Sequence, residues 1–439
     1  MREVFSALSQ AAFSQLSSAE QLSLWLSGEE SNFVRLNRGL VRQPSTVSQA
    51  FLQVSLVTRG RQARARLPMT GELAADASAV SAALYRLREV VAQVPEDPFL
   101  LVPALAEQSE DLRTGELPEA VSTCEHITEL AQGCDLVGLF SQGRMLRGLQ
   151  SSLGHRHWHQ SESFHFDFSV YARGDKAAKQ SYSGTHFEPS ELARRIDQAR
   201  AASELLHEPE HRPEPGKYRA YLAPAALAEL VGLIAWDSLS SRALRTKRSA
   251  LVRMLDGGSR LDPRVSLVEH AAGGVAARFL PSGFSVPDRV SLVDQGRLVG
   301  ELVSPRSARE YGVEVNSTDA ERPTSLELAG GELAESDVLD ALGTGLYVTN
   351  LWYTNFSDPL SCRITGMTRF ATTWVRRGKP VAPLSVMRFD DSLYRILGDQ
   401  LESLTRECEW LFDGGTYGER STDSYRLPGA LLRELTLTL

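Results

Sequence analysis

The sequence predicts an α+β protein: two related N-terminal α+β units, each an antiparallel sheet with helices on it, followed by a β-rich C-terminal domain. Three observations carry this reading. The order helix, extended pair, hairpin, helix occurs twice before about residue 206. Two stretches dense in Pro and charge, VPEDPFLLVP (94–103) and EPEHRPEPGKY (208–218), interrupt any regular element. After about residue 262, short apolar strands alternate with Gly, Pro and Asp turns, the pattern of an antiparallel β domain. The expected division is therefore 1–103, 104–213 and 214–439. A chain of 439 residues is in any case too long for one ordinary core.

In the first unit, residues 9–27 carry apolar positions at helical spacing. FVRLNRGLVRQ (from Phe33) and QAFLQVSLVTRGRQARARLP (from Gln49) read as extended, with Arg59-Gly60 a natural hairpin turn. A helix is expected over about 76–93. In the second unit a helix at about 118–131 leads into CDLVGLFSQGRMLRGL (from Cys134), whose Gly143 is placed as the counterpart of Gly39. The next hairpin is expected at Arg173-Gly174, and a helix from Pro189 to about Leu206 closes the unit. SLVTRGRQARA (from Ser55) and SVYARGDKAAK (from Ser169) match in register at Ser, Arg-Gly and Ala. In the third part, RAYLAP (from Arg219) reads as a strand and AALAELVGLIAW (from Ala225) as a helix.

A net charge of −8 with scattered Lys and Arg does not suit a nucleic-acid binder, and no apolar run suggests a membrane span. Four cysteines (Cys124, Cys134, Cys362, Cys408) form no CxxC pair, and the first residues carry no signal peptide, so a reduced, cytoplasmic location is expected. The stretch HRHWHQ places His155, His157 and His159 at alternate positions, on one face of a strand. Such a face could hold zinc; no Glu nearby is placed as a general base, and a half-buried strand face at an interface looks the same. Asp390-Asp391 is a candidate paired carboxylate, explained more simply as the N-cap of a following helix. There is no GxSxG elbow, P-loop or GxGxxG after a strand.

The segments YRAYLAPAALAELVGL (from Tyr218), SAREYGVEVNS (from Ser307) and the run from Gly343 to Gly398 resemble the C-terminal domain of the TldD/PmbA family, once called modulators of DNA gyrase. ARGDKAAKQSYSG (from Ala172) is a weaker likeness, and the tail after about Arg406 is not placed by it. The resemblance implies a pair of related chains. TldD-like members are zinc peptidases with HExxxH on a helix and a further cysteine ligand near the C-terminus; TldE/PmbA-like members lack the motif. The equivalent positions here are Ala228-Glu229-Leu230-Val231-Gly232-Leu233. Ala228 and Leu233 stand where the imidazoles would be, and neither offers a metal a lone pair.

The resemblance thus implies a non-catalytic TldE/PmbA-like subunit with no metal or other cofactor of its own. It would pair as a heterodimer with a TldD-like partner carrying zinc, and the substrate would be an unfolded or extended peptide, degraded or trimmed of a leader. Gly345–Thr349, with Trp352, Tyr353, Asn355 and Phe356 beside it, is the candidate peptide-holding wall; Tyr347, Trp352, Tyr353 and Asn355 are the candidate substrate contacts. Two other readings stay open: an autonomous metal-binding hydrolase using the His155/His157/His159 face, and a homodimeric binding module.

Overall fold

The computed structural model describes residues 1–438. In the N-terminal half, seven strands form one sheet: β1 (Glu20–Asn37), β2 (Leu40–Thr58), β3 (Arg61–Pro68), β4 (Gln108–Arg113), β5 (Asp135–Ser151), β6 (Arg156–Arg173) and β7 (Lys176–Gly184). The order is β3-β2-β1-β5-β6, and the outer edge of β6 is shared by β4 over Arg156–Ser161 and β7 over Phe164–Arg173. The two predicted units are thus halves of a single sheet, joined by antiparallel pairing of β1 with β5 from Ser23↔Ser151 to Leu36↔Gly138.

Alternation gives this sheet two unlike faces. Leu22, Leu24 and Leu26 of β1 and Leu52, Val54 and Leu56 of β2 pack with α1 (Arg2–Phe13) and α2 (Leu73–Val91). Phe164, Phe166, Phe168 and Val170 of β6 pack with α3 (Ala120–Leu130) and α4 (Pro189–Leu205). Each such side chain, fully buried, contributes roughly 1.5–3 kcal/mol. The other face carries Ser27, Glu29 and Ser31 on β1 and His157, His159, Ser161 and Ser163 on β6, and it too is buried. The C-terminal domain covers it.

That domain is built on a thirteen-stranded sheet. Its strands are β8 (Gly216–Leu222), β9 (Leu267–Glu269), β10 (Val290–Asp294), β11 (Arg297–Leu298), β12 (Ser325–Leu328), β13 (Gly345–Val348), β14 (Asn350–Asp358), β15 (Arg363–Arg369), β16 (Thr373–Arg376), β17 (Lys379–Pro383), β18 (Arg388–Ser392), β19 (Leu401–Phe412) and β20 (Ser424–Leu437). The main order is β11-β10-β9-β12-β20-β8-β13-β16-β17, with β14, β15, β18 and β19 branching from it. Only β12–β20 and β8–β13 pair in parallel. One helix matters for the site: α5 (Pro224–Leu233), which follows β8 directly and passes into a π-helical turn over Ile234–Ser238.

The class, α+β with a β-rich C-terminal part, is as the sequence predicts; several details differ. Helical spacing over 9–27 misleads after Phe13, because β1 begins at Glu20 and its Leu22, Leu24 and Leu26 follow a period of two. Gly143 is no counterpart of Gly39. Gly39 (φ 70°) sits in the β1–β2 turn, whereas Gly143 (φ 145°) lies within β5 opposite Ser31, where a Cβ would collide with the Glu30 carbonyl. The hairpins of the two units also differ by a bulge. Arg59 and Gly60, both with positive φ, link Thr58↔Arg61, whereas Gly174-Asp175 link Arg173↔Lys176 after a register shift. Asp390 and Asp391 lie on β18 rather than at a helix start; Asp391 is buried and accepts from Thr436 and Arg395.

Candidate functional site

Helix α5 starts because Pro224 sits in its first turn after an extended Ala223, a position where the missing N–H costs nothing. Ala226, Leu227, Leu230 and Val231 anchor it in the core of the C-terminal domain. The remaining face, with Ala228, Glu229, Gly232 and Leu233, lines a cleft of about 820 Å³ between the second N-terminal unit and the C-terminal domain. The opposite wall comes from β7 and α4, and a third side from the Thr405–Gly414 segment.

Cys408, in the tail that the sequence leaves unplaced, lies in the same cleft. The cleft therefore brings Cys408 beside Ala228 and Leu233, where the resemblance expects imidazoles, but the side chains there do not fit a metal. Ala228 and Leu233 donate nothing. Burial pushes the Cys408 thiol up, and a single thiol cannot complete a tetrahedral site. Among the described residues no group of three or more His, Cys, Asp or Glu side chains is placed to hold a metal ion.

Glu229 opens onto the cleft while protein surrounds it closely enough for desolvation to raise its carboxyl above the usual range. Among the described residues its carboxylate accepts one hydrogen bond, from Thr354 Oγ1 at 3.3 Å. The basic groups of the cleft are paired with other cleft carboxylates rather than with Glu229: Lys179 with Asp167 (3.2 Å), Arg194 with Glu191 (2.7 Å), and Arg195 with Glu191 (2.6 Å) and Glu409 (3.2 Å).

The candidate substrate contacts separate. Tyr347 lines the cleft, and burial there pushes its hydroxyl up to about 12. Its strand β13 is paired on both sides, with β8 and β16, so the wall expected at Gly345–Thr349 has no free edge to offer a peptide. Trp352 and Tyr353 are exposed on β14, their rings 4.0 Å apart, and Asn355 is exposed near them; these three lie outside the cleft lining, although Thr354 between them belongs to it.

The histidines lie elsewhere. His157 and His159 are on β6 and His155 just precedes it, all buried. Each is turned toward the parallel strand β4 or its approach. His155 Nδ1 accepts from the Glu107 N–H (3.1 Å), His157 Nδ1 lies 2.7 Å from Ser109 Oγ, and His159 Nδ1 lies 3.3 Å from the Asp111 carboxylate. Phe279 stacks on His157 and the Val275 carbonyl accepts from His159 Nε2 (3.0 Å). This face is a seam between N-terminal sheet and C-terminal domain. A smaller cavity of about 260 Å³ reaches His155, and two ion pairs at its rim are satisfied internally, Arg306–Asp97 (2.7 Å) and Arg64–Asp319 (3.7 Å).

Sequence reasoning missed the loop between β19 and β20. It reaches the sheet's polar face and inserts Arg420, which donates to Ser31 Oγ (2.9 Å), the Ser163 carbonyl (3.1 Å) and the Gly143 carbonyl (2.8 Å), 3.8 Å from the buried Glu29. Lys179, inside the weaker likeness ARGDKAAKQSYSG, and His165, on the aromatic run FHFDF, also line the cleft without having been assigned to it, because they arrive from the second unit.

Residues 215–439 match the model of the PmbA/TldA metallopeptidase C-terminal domain. No curated protein matches the chain in sequence. Three solved structures share the fold over nearly the whole length. TldE from Thermococcus kodakarensis is 12% identical, with a TM-score of 0.80 over 99% of this chain and 100% of that one. A modulator of a DNA gyrase from Thermotoga maritima is 14% identical, with a TM-score of 0.76 over 99% of both chains. A modulator of DNA gyrase from Bacteroides thetaiotaomicron is 16% identical, with a TM-score of 0.74 over 99% and 98%. The family model covers just over half of the chain, and the fold agrees along the rest: the chain belongs to the PmbA/TldD family of metallopeptidase-related proteins.

Proposed function

We propose that the chain is a non-catalytic, TldE/PmbA-like subunit that pairs with a TldD-type zinc peptidase and helps confine unfolded or extended peptides for cleavage. The supporting observation is Ala228 and Leu233 flanking Glu229 on the cleft face of α5, with no metal-binding group in their place. A carboxylate alone cannot hold a catalytic zinc or lower the pKa of a bound water. Zinc and the cleaving step then belong to the partner, and this chain supplies part of the enclosure. A cytoplasmic location is part of the same proposal; among the described residues no helix is long and apolar enough to cross a membrane.

The test is to purify the chain alone and after co-expression with an HExxxH-bearing TldD-type chain. Alone it should retain no zinc after dialysis and leave an unfolded protein such as reduced casein intact. Together the two should co-elute as one complex that cleaves it. About one equivalent of zinc on the isolated chain, peptidase activity without a partner, or a stable homodimer that ignores the TldD-type chain would overturn the reading.

A further inference from the structure

We infer that the cleft beside α5 remains a binding site for extended peptide, and that it selects a cationic group, a primary ammonium or a guanidinium, seated against Glu229. The inference deepens the function proposed above and rests on it. Three independent features of the cleft converge.

The first is charge. With Lys179, Arg194 and Arg195 already paired, Glu229, Glu335, Glu407 and Asp413 form no ion pair among the described residues. A concave, low-dielectric wall with carboxylates in excess focuses a negative potential that draws cations in. Desolvation raises the Glu229 carboxyl, against the opposing pull of Thr354 and Lys179, and a cation seated against it would restore the ionised form.

The second is unused hydrogen-bonding capacity. His165, almost wholly enclosed in the cleft wall, keeps a buried Nδ1 with no partner. Asp167 Oδ1, Thr349 Oγ1 and Asn350 Oδ1 are likewise buried, unpartnered and part of the same lining. An unpaired buried polar atom is costly, so four along one cleft call for partners beyond the protein's own groups. Two of them, Asp167 Oδ1 and Asn350 Oδ1, can only accept, and neutral His165 accepts at Nδ1 when its proton is on Nε2. A guest rich in N–H donors satisfies them.

The third is backbone. Among the described residues β7 pairs only with β6, and the Cys408–Phe412 part of β19 only with β20, so each turns an outer edge to the cleft, partly occupied where Arg195 donates to the Ser181 carbonyl. Ser183 Oγ bridges them where they meet, donating to the Trp410 carbonyl (2.8 Å) and accepting from the Phe412 N–H (3.3 Å). Open edges take an extended chain by main-chain hydrogen bonds.

The experiment uses the purified full-length chain and fluorescent Gly/Ser decapeptides. One carries a single central Lys with a capped N-terminus, one the same Lys acetylated, one a central Arg, and one a free N-terminus with no basic side chain. The expected result is at least tenfold tighter binding of a cationic peptide than of the acetyl-lysine peptide, with the preference lost in Glu229→Gln at an unchanged melting temperature. The three cationic peptides decide whether the source is Lys, Arg or the α-amine. Equal binding of charged and uncharged peptides, no binding of any, or a preference that survives Glu229→Gln overturns the inference. Zinc content and casein cleavage, measured on the same sample, report separately on the subunit reading.

Discussion

Arg420 shows how much one side chain can hold in this molecule. It is 4% exposed, its partner Glu29 is 1% exposed, and burial pushes the guanidinium down to about 10, so it stays charged at neutral pH. Its planar fork reaches three acceptors in different directions, which a lysine ammonium on a flexible stem cannot reproduce. Arg420→Ala would leave the Glu29 carboxylate buried without a counter-charge and is expected to destabilise the protein by about 3–5 kcal/mol. Urea unfolding monitored by circular dichroism reads this directly; a loss below about 1 kcal/mol would mean that Glu29 is relieved by water or by Gln49, which donates to it at 2.9 Å. Nothing in GTYGERSTD announces the residue, because its partners are 257 to 391 positions away. At the cleft, Ala228, Glu229 and Leu233 were legible because they sit together on one helix at a family spacing. Cys408 was not, because only the fold returns β19 to that helix.

At the scale of the element, β6 carries two patterns at once: aromatic residues at even positions facing helices, and imidazoles at odd positions facing the C-terminal domain. Burial holds His155, His157, His159 and His165 below the ordinary imidazole range, against the opposing pull of Glu107 on the first two and of Asp111 on His159. A group whose folded pKa is depressed stabilises fully above its unfolded value, near 6.5, and that contribution is lost as pH falls toward the folded value. The melting temperature should therefore drop steadily from about pH 6.5 downward, and His157→Gln should flatten that slope. A slope identical to the parent's would place the titration elsewhere. The alternation of β6 was legible in HRHWHQSESFHFDF, but what the odd face meets was not. Helical spacing over 9–27 failed for a related reason: a Leu-rich strand lying under helices imitates a short amphipathic helix until its length and pairing are known.

For the whole molecule, duplication and the change to short strands after residue 262 were legible, because both are written in local order. The fusion of the two units was not, since pairing β1 with β5 joins residues more than 100 positions apart. We propose the division 1–103, 104–213 and 214–439. Both connectors are tied down in part: Asp97 N–H donates to Gly60 and its carboxylate meets Arg306, while the His211 N–H donates to Pro383. Exposed residues lie beside these ties, at about 104–106 and 207–210. A broad-specificity protease at low ratio should cut there first; early cuts inside β1, β2 or β14–β16 would contradict the division. The seam has a consequence for synthesis. The N-terminal sheet emerges from the ribosome long before Arg420 and the loop that carries it, so its Ser- and His-rich face must wait uncovered. A polar face can wait in water, hydrated and soluble, where a greasy one would recruit neighbouring nascent chains. The same seam, rich in Ser and His between apolar groups such as Trp25, Met145 and Leu149, costs desolvation in the finished protein and keeps much of that face hydrated in the half-made one.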